Sequence, residues 1–409
     1  MDFNDTPEEA AFRAEVQQWL AANAPLKNAA QANTGSAAGT GGDRIDEAKA
    51  FQAKKAEAGY AAITWPEAYG GLGGTPIQEV IYTQEEANYD VVTGPFQIGL
   101  GMCIPTLLAW ADETHLQRYV KPALYGEEIW CQLFSEPGAG SDVAGLQTRA
   151  ERDGDDWIIN GQKVWTSGAH YSDYGIIVTR SDPGVAKHKG LTFFFIDMKS
   201  PGIEVRPIKQ MSGGAEFNEV FFNDVRVPDN QRLGAVGEGW KVSLTTLMNE
   251  RLAIGTGSGI DVDELFHHAR ETELETGPAL QNQSVREKLA DFYIQSEGLK
   301  YTKYRTLTAL SKGQTPGPES SIGKIISGPK MQDLPALAME LCGQGGIMRD
   351  ENAPLDGAFQ NLWFGGAGYR IAGGTDEILR NIVAERVLGL PQDTRVDKDV
   401  PFKDLPKGK

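Results

Sequence analysis

Two short segments in the middle of the chain combine hydroxyl groups, small residues and an aromatic ring in a way that suits a flat ligand. They are SEPGAGSD, Ser135 to Asp142, and QKVWTSG, Gln162 to Gly168. The small residues 138–140 would let backbone approach a flat ring closely, while serine hydroxyls on either side bond its edge. Trp165 could cover the ring, and Ser167 could reach its polar edge. Either segment alone would equally fit a loop and a strand with one core tryptophan, but their joint occurrence favours a binding site.

Length and composition indicate a globular protein of two or three domains. The chain has 409 residues, 40% of them hydrophobic and 23% charged, and no apolar run approaches the roughly 18 residues of a membrane span. The first residues, MDFNDTPEEA, lack the basic and apolar regions of a secretory signal. We therefore expect a cytoplasmic protein without membrane insertion.

Charge and metal-ligand spacing narrow the functional classes further. The formal net charge of -17, from 39 basic and 56 acidic residues, opposes binding to phosphate backbones and excludes nucleic acid as an expected partner. The cysteines Cys103, Cys131 and Cys342 show no C-x-x-C spacing, which predicts buried free thiols. The five histidines have no cysteine or carboxylate at ligand spacing, so no metal site is predicted.

Hydrophobic periodicity divides the chain into three regions that must position these groups. The first begins with Thr6 as a helix N-cap, Pro7 and a capping-box Glu9, contains an aperiodic loop at residues 28–43, and is otherwise helical. After Trp130, turn signals at Asp153-Gly154 and Asn160-Gly161 predict hairpins. Strands are expected at Trp157–Ile159, Tyr174–Thr179, Leu191–Met198, Ile203–Gln210 and Val220–Val227. Helical periodicity returns from about Gly239, so we expect an α domain (1–129), an antiparallel β domain (130–238) and a second α domain (239–409).

The spacing of glycine, lysine and serine residues argues against several common enzyme classes. Every G-x-G in the chain misses the sixth position of the dinucleotide fingerprint, and none lies in an alternating βαβ context. Gly323-Lys324 is followed by isoleucine, so it is not a P-loop. No G-x-S-x-G occurs, which argues against an α/β-hydrolase.

Five segments in order resemble the acyl-CoA dehydrogenase family. Besides the two central segments, they are WPEAYGGLGG from Trp65, NEVFFNDVRVP from Asn218 with GEGW from Gly237, and GGTDEILRNIVAERVLGLP from Gly373. The resemblance implies an α domain, a β domain and a four-helix C-terminal domain, with FAD held between the last two. Most members of the family are tetramers in which a neighbouring subunit completes each flavin site.

The resemblance also assigns residues to the cofactor. Those expected to border or cover the isoalloxazine are Phe134, Ser135, Gly140, Ser141, Trp165 and Ser167. Arg270 resembles an arginine that reaches a neighbouring subunit's pyrophosphate, although the aromatic-glycine pair that usually follows it is missing. The positions that match the adenosine half are Gly343, Gln344, Gly345, Thr375 and Glu377.

The catalytic base departs from the commonest family pattern. Many members have a glutamate directly before the last Gly-Thr, where this chain has Gly373. A subset resembling the isovaleryl-CoA and long-chain enzymes carries the glutamate before an arginine on a helix of the third domain, which matches Glu250 and Arg251. We expect Glu250 to be the base, Ser141 and Arg251 to contact substrate, and the Gly373 N–H to bond the thioester oxygen. Without the resemblance, Glu250 would be interpreted as a solvent-exposed carboxylate on a helix, which is the commonest environment of glutamate.

The implied activity is α,β-dehydrogenation of an acyl-CoA thioester in fatty acid or lipid metabolism. Glu250 would take the α proton, flavin N5 the β hydride, and an electron-transfer flavoprotein the electrons. A homotetramer is expected, and a heterotetramer with a related chain is the alternative assembly. Monooxygenases and oxidases of the same fold are disfavoured by the Glu250-Arg251 pair, and a non-catalytic subunit by retention of Ser135, Trp165 and Glu250. The sequence does not indicate the size or branching of the acyl chain. Because both the protein and a coenzyme A thioester are negatively charged, the substrate would need local basic groups or helix N-termini to bind.

Overall fold

The computed structural model describes residues 5–27, 44–253, 262–312, 317–349 and 353–406. The predicted loop at residues 28–43 is outside the described residues. The chain divides into two compact units. The helical unit comprises residues 1–38, 74–91 and 254–391, and the sheet unit comprises residues 39–73, 92–253 and 392–409.

Helices and strands alternate in blocks along the chain, as the sequence predicts. The α-helices are α1 Pro7–Asn23, α2 Ile45–Glu57, α3 Pro76–Glu86, α4 Gly94–Ile98, α5 Ile104–Trp110, α6 Glu113–Leu124, α7 Gly239–Ala253, α8 Val262–Glu271, α9 Gln283–Ser311, α10 Ser321–Leu341, α11 Ala358–Tyr369 and α12 Asp376–Ile382. The strands are β1 Trp130–Leu133, β2 Arg149–Asp153, β3 Asp156–Ser167, β4 Tyr174–Arg180, β5 Leu191–Asp197, β6 Ile203–Pro207, β7 Phe217–Pro228, β8 Arg232–Leu233, β9 Glu273–Leu274 and β10 Gly277–Pro278. None of the helices in these described ranges is long and apolar enough to cross a bilayer.

The sheet unit is built around strands β1 to β8, in the order β6-β7-β3-β2-β4-β5-β8 with β1 beside β4. Most neighbours are antiparallel, as expected. The pairing of β1 with β4 is parallel, and so is the single pair Arg149 with Arg180 that joins β2 to β4. The sheet is therefore mixed, because β1 enters directly from the preceding helices rather than through a hairpin.

Strands β4 and β5 are buried on both faces, which explains their continuous apolar sequences. Ile176, Val178, Phe193 and Phe195 pack with helical residues such as Leu107, Leu116 and Val242. The alternate residues Ile177, Phe194 and Ile196 point to the other face and pack with Trp157 and Ile159 of β3 and Phe222 of β7. The first cluster also includes Phe134 and Ala139, so it holds the SEPGAGSD segment against helices α5, α6 and α7.

Local signals at the helix start and at the first hairpin are confirmed. The Thr6 hydroxyl accepts from the Glu9 amide at 3.2 Å, and the Glu9 carboxylate accepts from the Thr6 amide at 2.8 Å. The β2–β3 hairpin closes between Asp153 and Asp156, with Gly154 at φ 64°. The C-terminal helices α8 to α11 enclose a core that includes Leu265, Leu289, Leu334 and Phe359.

The predicted turn at Asn160-Gly161 is wrong. Strand β3 continues through these residues to Ser167, and the register with β7 shifts between Ile159 and Gly161. The Asn160 side chain donates to the Asp224 carboxylate and accepts from its amide, both at 2.9 Å. The Asn160 side chain therefore satisfies polar groups of Asp224 at a bulge in a long strand, and the chain does not reverse direction here.

Candidate functional site

A buried ion pair joins the two central motifs. Lys163 is fully buried, and its Nζ lies 2.9 Å from Oε1 of Glu136 and 3.0 Å from the Phe134 carbonyl oxygen. The Glu136 carboxylate also accepts from the amides of Gln147 at 2.6 Å and Thr148 at 2.9 Å. Burial acts to raise the pKa of Glu136, but Lys163 and these donors outweigh it and hold the pKa below its usual value.

Backbone hydrogen bonds complete the link between the motifs. The Val164 amide donates to the Ser135 carbonyl at 2.9 Å, and Glu136 and Ala139 exchange two backbone hydrogen bonds across a tight turn. A Cβ atom added at Gly138 or Gly140 would meet no atom within 4 Å. The tip of the SEPGAGSD loop thus faces open space, and a shallow pocket of about 250 Å³ between Pro137, Gly145 and Gln162 adjoins it.

Trp165 is presented to the outside by a strained backbone. Its φ is 60°, in the left-handed region that residues other than glycine rarely occupy. The β3–β7 register shifts between Lys163 and Thr166, so this residue lies in a bulge. Its side chain is 58% exposed and meets the Phe217 ring edge-on at a centroid distance of 6.1 Å. Strain of this kind persists where function uses the resulting geometry, and here it leaves a large flat ring uncovered.

The remaining predicted ring contacts differ in accessibility. Ser141 is exposed, and Ser135 and Ser167 are half-buried. Phe134 is only 4% exposed, and its ring packs edge-on against Phe193. Phe134 can therefore border a ligand only through its backbone. An exposed tryptophan, three serine hydroxyls and an open glycine loop in the same unit fit the flat face and polar edge of a flavin.

The residues expected at the adenosine lie in the helical unit at two separate places. Gly343 and Gln344 are in the exposed turn after α10, where Gln360 of α11 donates to the Gly346 carbonyl at 3.2 Å. Thr375 and Glu377 begin α12, and the Thr375 hydroxyl caps that helix by accepting from Ile378 at 3.3 Å.

These two places are at opposite ends of the α10–α11 pair. Gln360 near the start of α11 contacts the first place, whereas Arg370, after its end, forms a 2.7 Å ion pair with Asp376 beside the second. The rise along α11 from Gln360 to Arg370, ten positions later, is roughly 15 Å. The structure therefore places the two parts of this predicted group at separate ends of the α10–α11 pair.

The last loop has the backbone that its glycines predict. Gly373 has φ 65° and Gly374 has φ 100°. Lys324 of α10 donates to the carbonyls of Ala372 and Gly374 on either side, which holds the Gly373 peptide in place. A fixed amide in a half-buried loop is suited to donating a hydrogen bond to a developing oxyanion.

Glu250 is on α7 in the sheet unit, and its side chain is half-buried. Two side-chain hydrogen bonds fix this helix: Thr106 and Thr246 pair at 2.9 Å, and the Trp110 indole donates to Thr245 at 3.0 Å. The Arg251 side chain is outside the described part of the chain. Arg270 is on α8 and 56% exposed, available to a ligand or a neighbouring chain.

We expect Trp165→Ala to lower FAD affinity roughly tenfold, because the exposed ring would stack on the isoalloxazine. The free energy of unfolding of the apo-protein should change little, since this exposed side chain contributes little to the core. Titration of apo-protein with FAD, followed by fluorescence quenching, measures the effect. Trp165→Phe is the matched control and should retain most of the affinity; equal affinity in the wild type and the alanine variant would contradict the stacking role.

Sequence reasoning missed the residues that support these groups. Glu136 and Lys163 lie in the two motifs and Lys324 in the rejected P-loop pattern, but no pattern indicated their supporting roles; Gln360 and Arg370 lie in no motif. A charged residue within an apolar alternating strand, as at Lys163, is the one pattern that could have indicated a buried pair.

Comparisons with known proteins agree along most of the chain. Family models described as the N-terminal, middle and C-terminal domains of acyl-CoA dehydrogenase match residues 6–127, 131–225 and 237–388. Acyl-CoA dehydrogenase IpdE1 of Mycobacterium tuberculosis is 36% identical over 391 residues, covering 94% of this chain and 98% of that protein. Acyl-CoA dehydrogenase FadE34 of the same organism is 38% identical over 343 residues, covering 83% of this chain. The match covers 46% of FadE34, so this chain spans about half of that relative.

Solved structures give the same result. The Tcur3481-Tcur3483 steroid ACAD has a TM-score of 0.81 at 27% identity, covering 96% of this chain and all of that one. The ChsE4-ChsE5 complex from Mycobacterium tuberculosis has a TM-score of 0.76 at 26% identity, with 96% of this chain covered. With three family models in order, the expected α, β and α architecture, and a surface suited to a flavin, the chain belongs to the acyl-CoA dehydrogenase family of FAD-binding oxidoreductases.

Proposed function

We propose that this protein dehydrogenates an acyl-CoA thioester between its α and β carbons, with Glu250 as the base. The observation that carries the proposal is a half-buried carboxylate on α7. This helix is fixed by Thr245 and Thr246 and belongs to the same unit as Trp165. A carboxylate is the usual base for a proton of this kind.

The chain supplies the remaining requirements of the reaction. The Gly373 amide is the proposed donor to the thioester oxygen, an interaction that would make the α proton more acidic. Ser141 and Arg251 are the proposed substrate contacts. FAD, when bound, supplies the oxidant that accepts the β hydride. An electron-transfer flavoprotein is the proposed acceptor in the following oxidation step.

For the substrate, we include ring-bearing acyl groups among the candidates. The support is the likeness to a steroid ACAD at 27% identity. The rival activity, oxygen-dependent oxidation, has a weaker basis, because the similar structure described as PigA with FAD and proline is 20% identical and speaks only for the fold.

The function is tested by anaerobic titration of the yellow holoenzyme with straight-chain, branched and ring-bearing acyl-CoA thioesters. We expect at least one class to bleach the flavin and yield the α,β-unsaturated product by mass spectrometry. The saturated thioether analogue, which lacks an acidic α proton, is the control and should bind without bleaching. Failure of every thioester to reduce the flavin would overturn the proposal.

We also propose that each flavin site is completed by a second chain. The support is the separation of Gly343 from Thr375 at opposite ends of the α10–α11 pair, together with the exposed Arg270. A homotetramer satisfies this requirement, and pairing with a related chain, as in the ChsE4-ChsE5 complex, is the alternative.

Complementation between two variants tests the shared site. Trp165→Ala and Arg270→Ala should each weaken FAD binding alone. When the two variants are co-expressed, some mixed sites would combine an intact Trp165 with an intact Arg270 and recover FAD. The control is the Trp165→Ala, Arg270→Ala double variant mixed with wild type under the same conditions. No recovery in mixed oligomers, or a monomer by native mass spectrometry, would contradict the arrangement.

A further inference from the structure

Residues 392–406, here called the strap, lie along a loop of the β domain. The Phe402 amide donates to the Val185 carbonyl at 2.8 Å, and the Lys403 amide donates to the Pro183 carbonyl at 2.9 Å. Pro401 also forms a bridge with Ala186. The strap is therefore joined through its backbone to the 183–189 loop between β4 and β5, within the sheet unit.

A buried lysine connects the strap to the SEPGAGSD motif. Lys187 is 8% exposed, and its Nζ lies 2.8 Å from the Asp142 carboxylate, the last residue of that motif. The same Nζ forms an ion pair with Asp397 of the strap. One ammonium group thus bridges two segments that are far apart in sequence.

Arg180 makes a second connection. It is 4% exposed and donates to the carbonyls of Ala144 at 2.5 Å, Lys187 at 2.9 Å and Leu146 at 3.1 Å. The strap covers its guanidinium, because the Phe402 ring centroid lies 3.5 Å from Cζ. Burial lowers the pKa of Arg180 to about 10, so the group remains charged at neutral pH.

A cationic side chain that orders three backbone carbonyls needs protection from water. Competing water would weaken each of these hydrogen bonds, and an aromatic face both excludes water and attracts the cation. Phe402 supplies that face, and Asp397 balances the charge of the neighbouring ammonium. The strap is thereby in contact with both groups that hold residues 142–146 and the 183–189 loop.

We propose that the strap is a positioning element of the catalytic site: through Phe402 on Arg180 and Asp397 on Lys187, it holds the segment after Ser141 in the conformation that accepts the acyl-CoA. Asp397 and Phe402 are positioning residues, since they act through other groups. The kinetic part of this inference rests on the proposed dehydrogenase activity, whereas the structural part does not.

The structural part is tested by hydrogen exchange on the full-length holoenzyme. In Phe402→Ala and Asp397→Asn, amides in residues 142–148 and 183–190 should exchange at least about tenfold faster, while those in β7 remain unchanged. Val396→Ala is the matched control, because this side chain is 89% exposed on the same segment. Unchanged exchange at both loops, or a uniform increase through the sheet unit, would overturn the inference.

The kinetic part separates positioning from simple stability. We expect the KM for the best acyl-CoA to rise about tenfold in both variants, with kcat within about twofold of wild type, because the loop is displaced while the base remains. A KM equal to that of Val396→Ala despite faster loop exchange would overturn the positioning role. If no acyl-CoA is a substrate, the proposed function fails, and FAD affinity, expected to fall in the two strap variants but not in the control, decides the inference instead.

Discussion

A Glu250→Gln enzyme should retain FAD and bind acyl-CoA, yet its flavin should be reduced about 10² to 10⁴-fold more slowly than in the wild type. The amide has nearly the size of the carboxylate but cannot accept the α proton. Since α7 is fixed by Thr245 and Thr246, the substitution should leave the helix in place. Anaerobic stopped-flow absorbance measures the reduction rate, and titration with a non-reacting thioether measures binding.

Glu238→Gln is the matched control for this experiment. Glu238 precedes the same helix, is 43% exposed, and has no assigned part in the chemistry. The flavin of the Glu238→Gln variant should be reduced at the wild-type rate. An unimpaired Glu250→Gln enzyme would eliminate the assignment of the base.

Adding Gly373→Glu to the Glu250→Gln variant tests whether both positions face the same carbon. A carboxylate would return at the place where many family members carry their base, so part of the rate should recover. Recovery should be incomplete, because the left-handed backbone at Gly373, with φ 65°, costs about 1–2 kcal/mol for other residues. Absence of recovery would count against the shared geometry alone, leaving the assignment of Glu250 intact.

Glu136→Gln should lower the free energy of unfolding by about 3–5 kcal/mol, the usual cost of removing one member of a buried ion pair. The variant leaves the Lys163 ammonium fully buried without its counter-ion. Chemical denaturation of the apo-protein at fixed concentration, followed by circular dichroism, measures the change. Glu151→Gln on β2 is the control, since its side chain is 67% exposed, and it should remain within about 0.5 kcal/mol of wild type.

A double-mutant cycle distinguishes the ion pair from packing. Adding Lys163→Met removes the orphaned charge, so the Glu136→Gln, Lys163→Met protein should be less destabilised than the two single changes combined. Additive effects would contradict coupling between these side chains.

The same pair predicts a pH dependence. The pKa of Glu136 is lowered in the folded protein from its ordinary value of 4.5. Its contribution to stability is therefore present above that value and is lost as the pH falls through the folded-state pKa. The stability difference between wild type and Glu136→Gln should shrink on acidification, and a constant difference would contradict an ionised carboxylate.

The sequence determined the features that depend on neighbouring residues. Thr6 and Glu9 are three positions apart, so local sequence alone predicts their capping hydrogen bonds. The Asp153-Gly154 turn and the order of helical and strand regions follow from local sterics and periodicity in the same way. Five ordered segments also sufficed to indicate the family and its flavin.

Tertiary structure decided whatever depends on pairing across long separations. Asn160-Gly161 has a turn signal, but its partner Asp224 is 64 residues away, and pairing with that strand turned the signal into a bulge. The strain at Trp165 arises from the register between β3 and β7, which no local pattern specifies. Glu136 and Lys163 are 27 residues apart, and only folding removes both from water. Burial and strand register are properties of the packed chain. The sequence therefore indicated the groups that could touch a ligand, whereas the ion pair of Glu136 and Lys163, both within the motifs, became evident only in the folded protein.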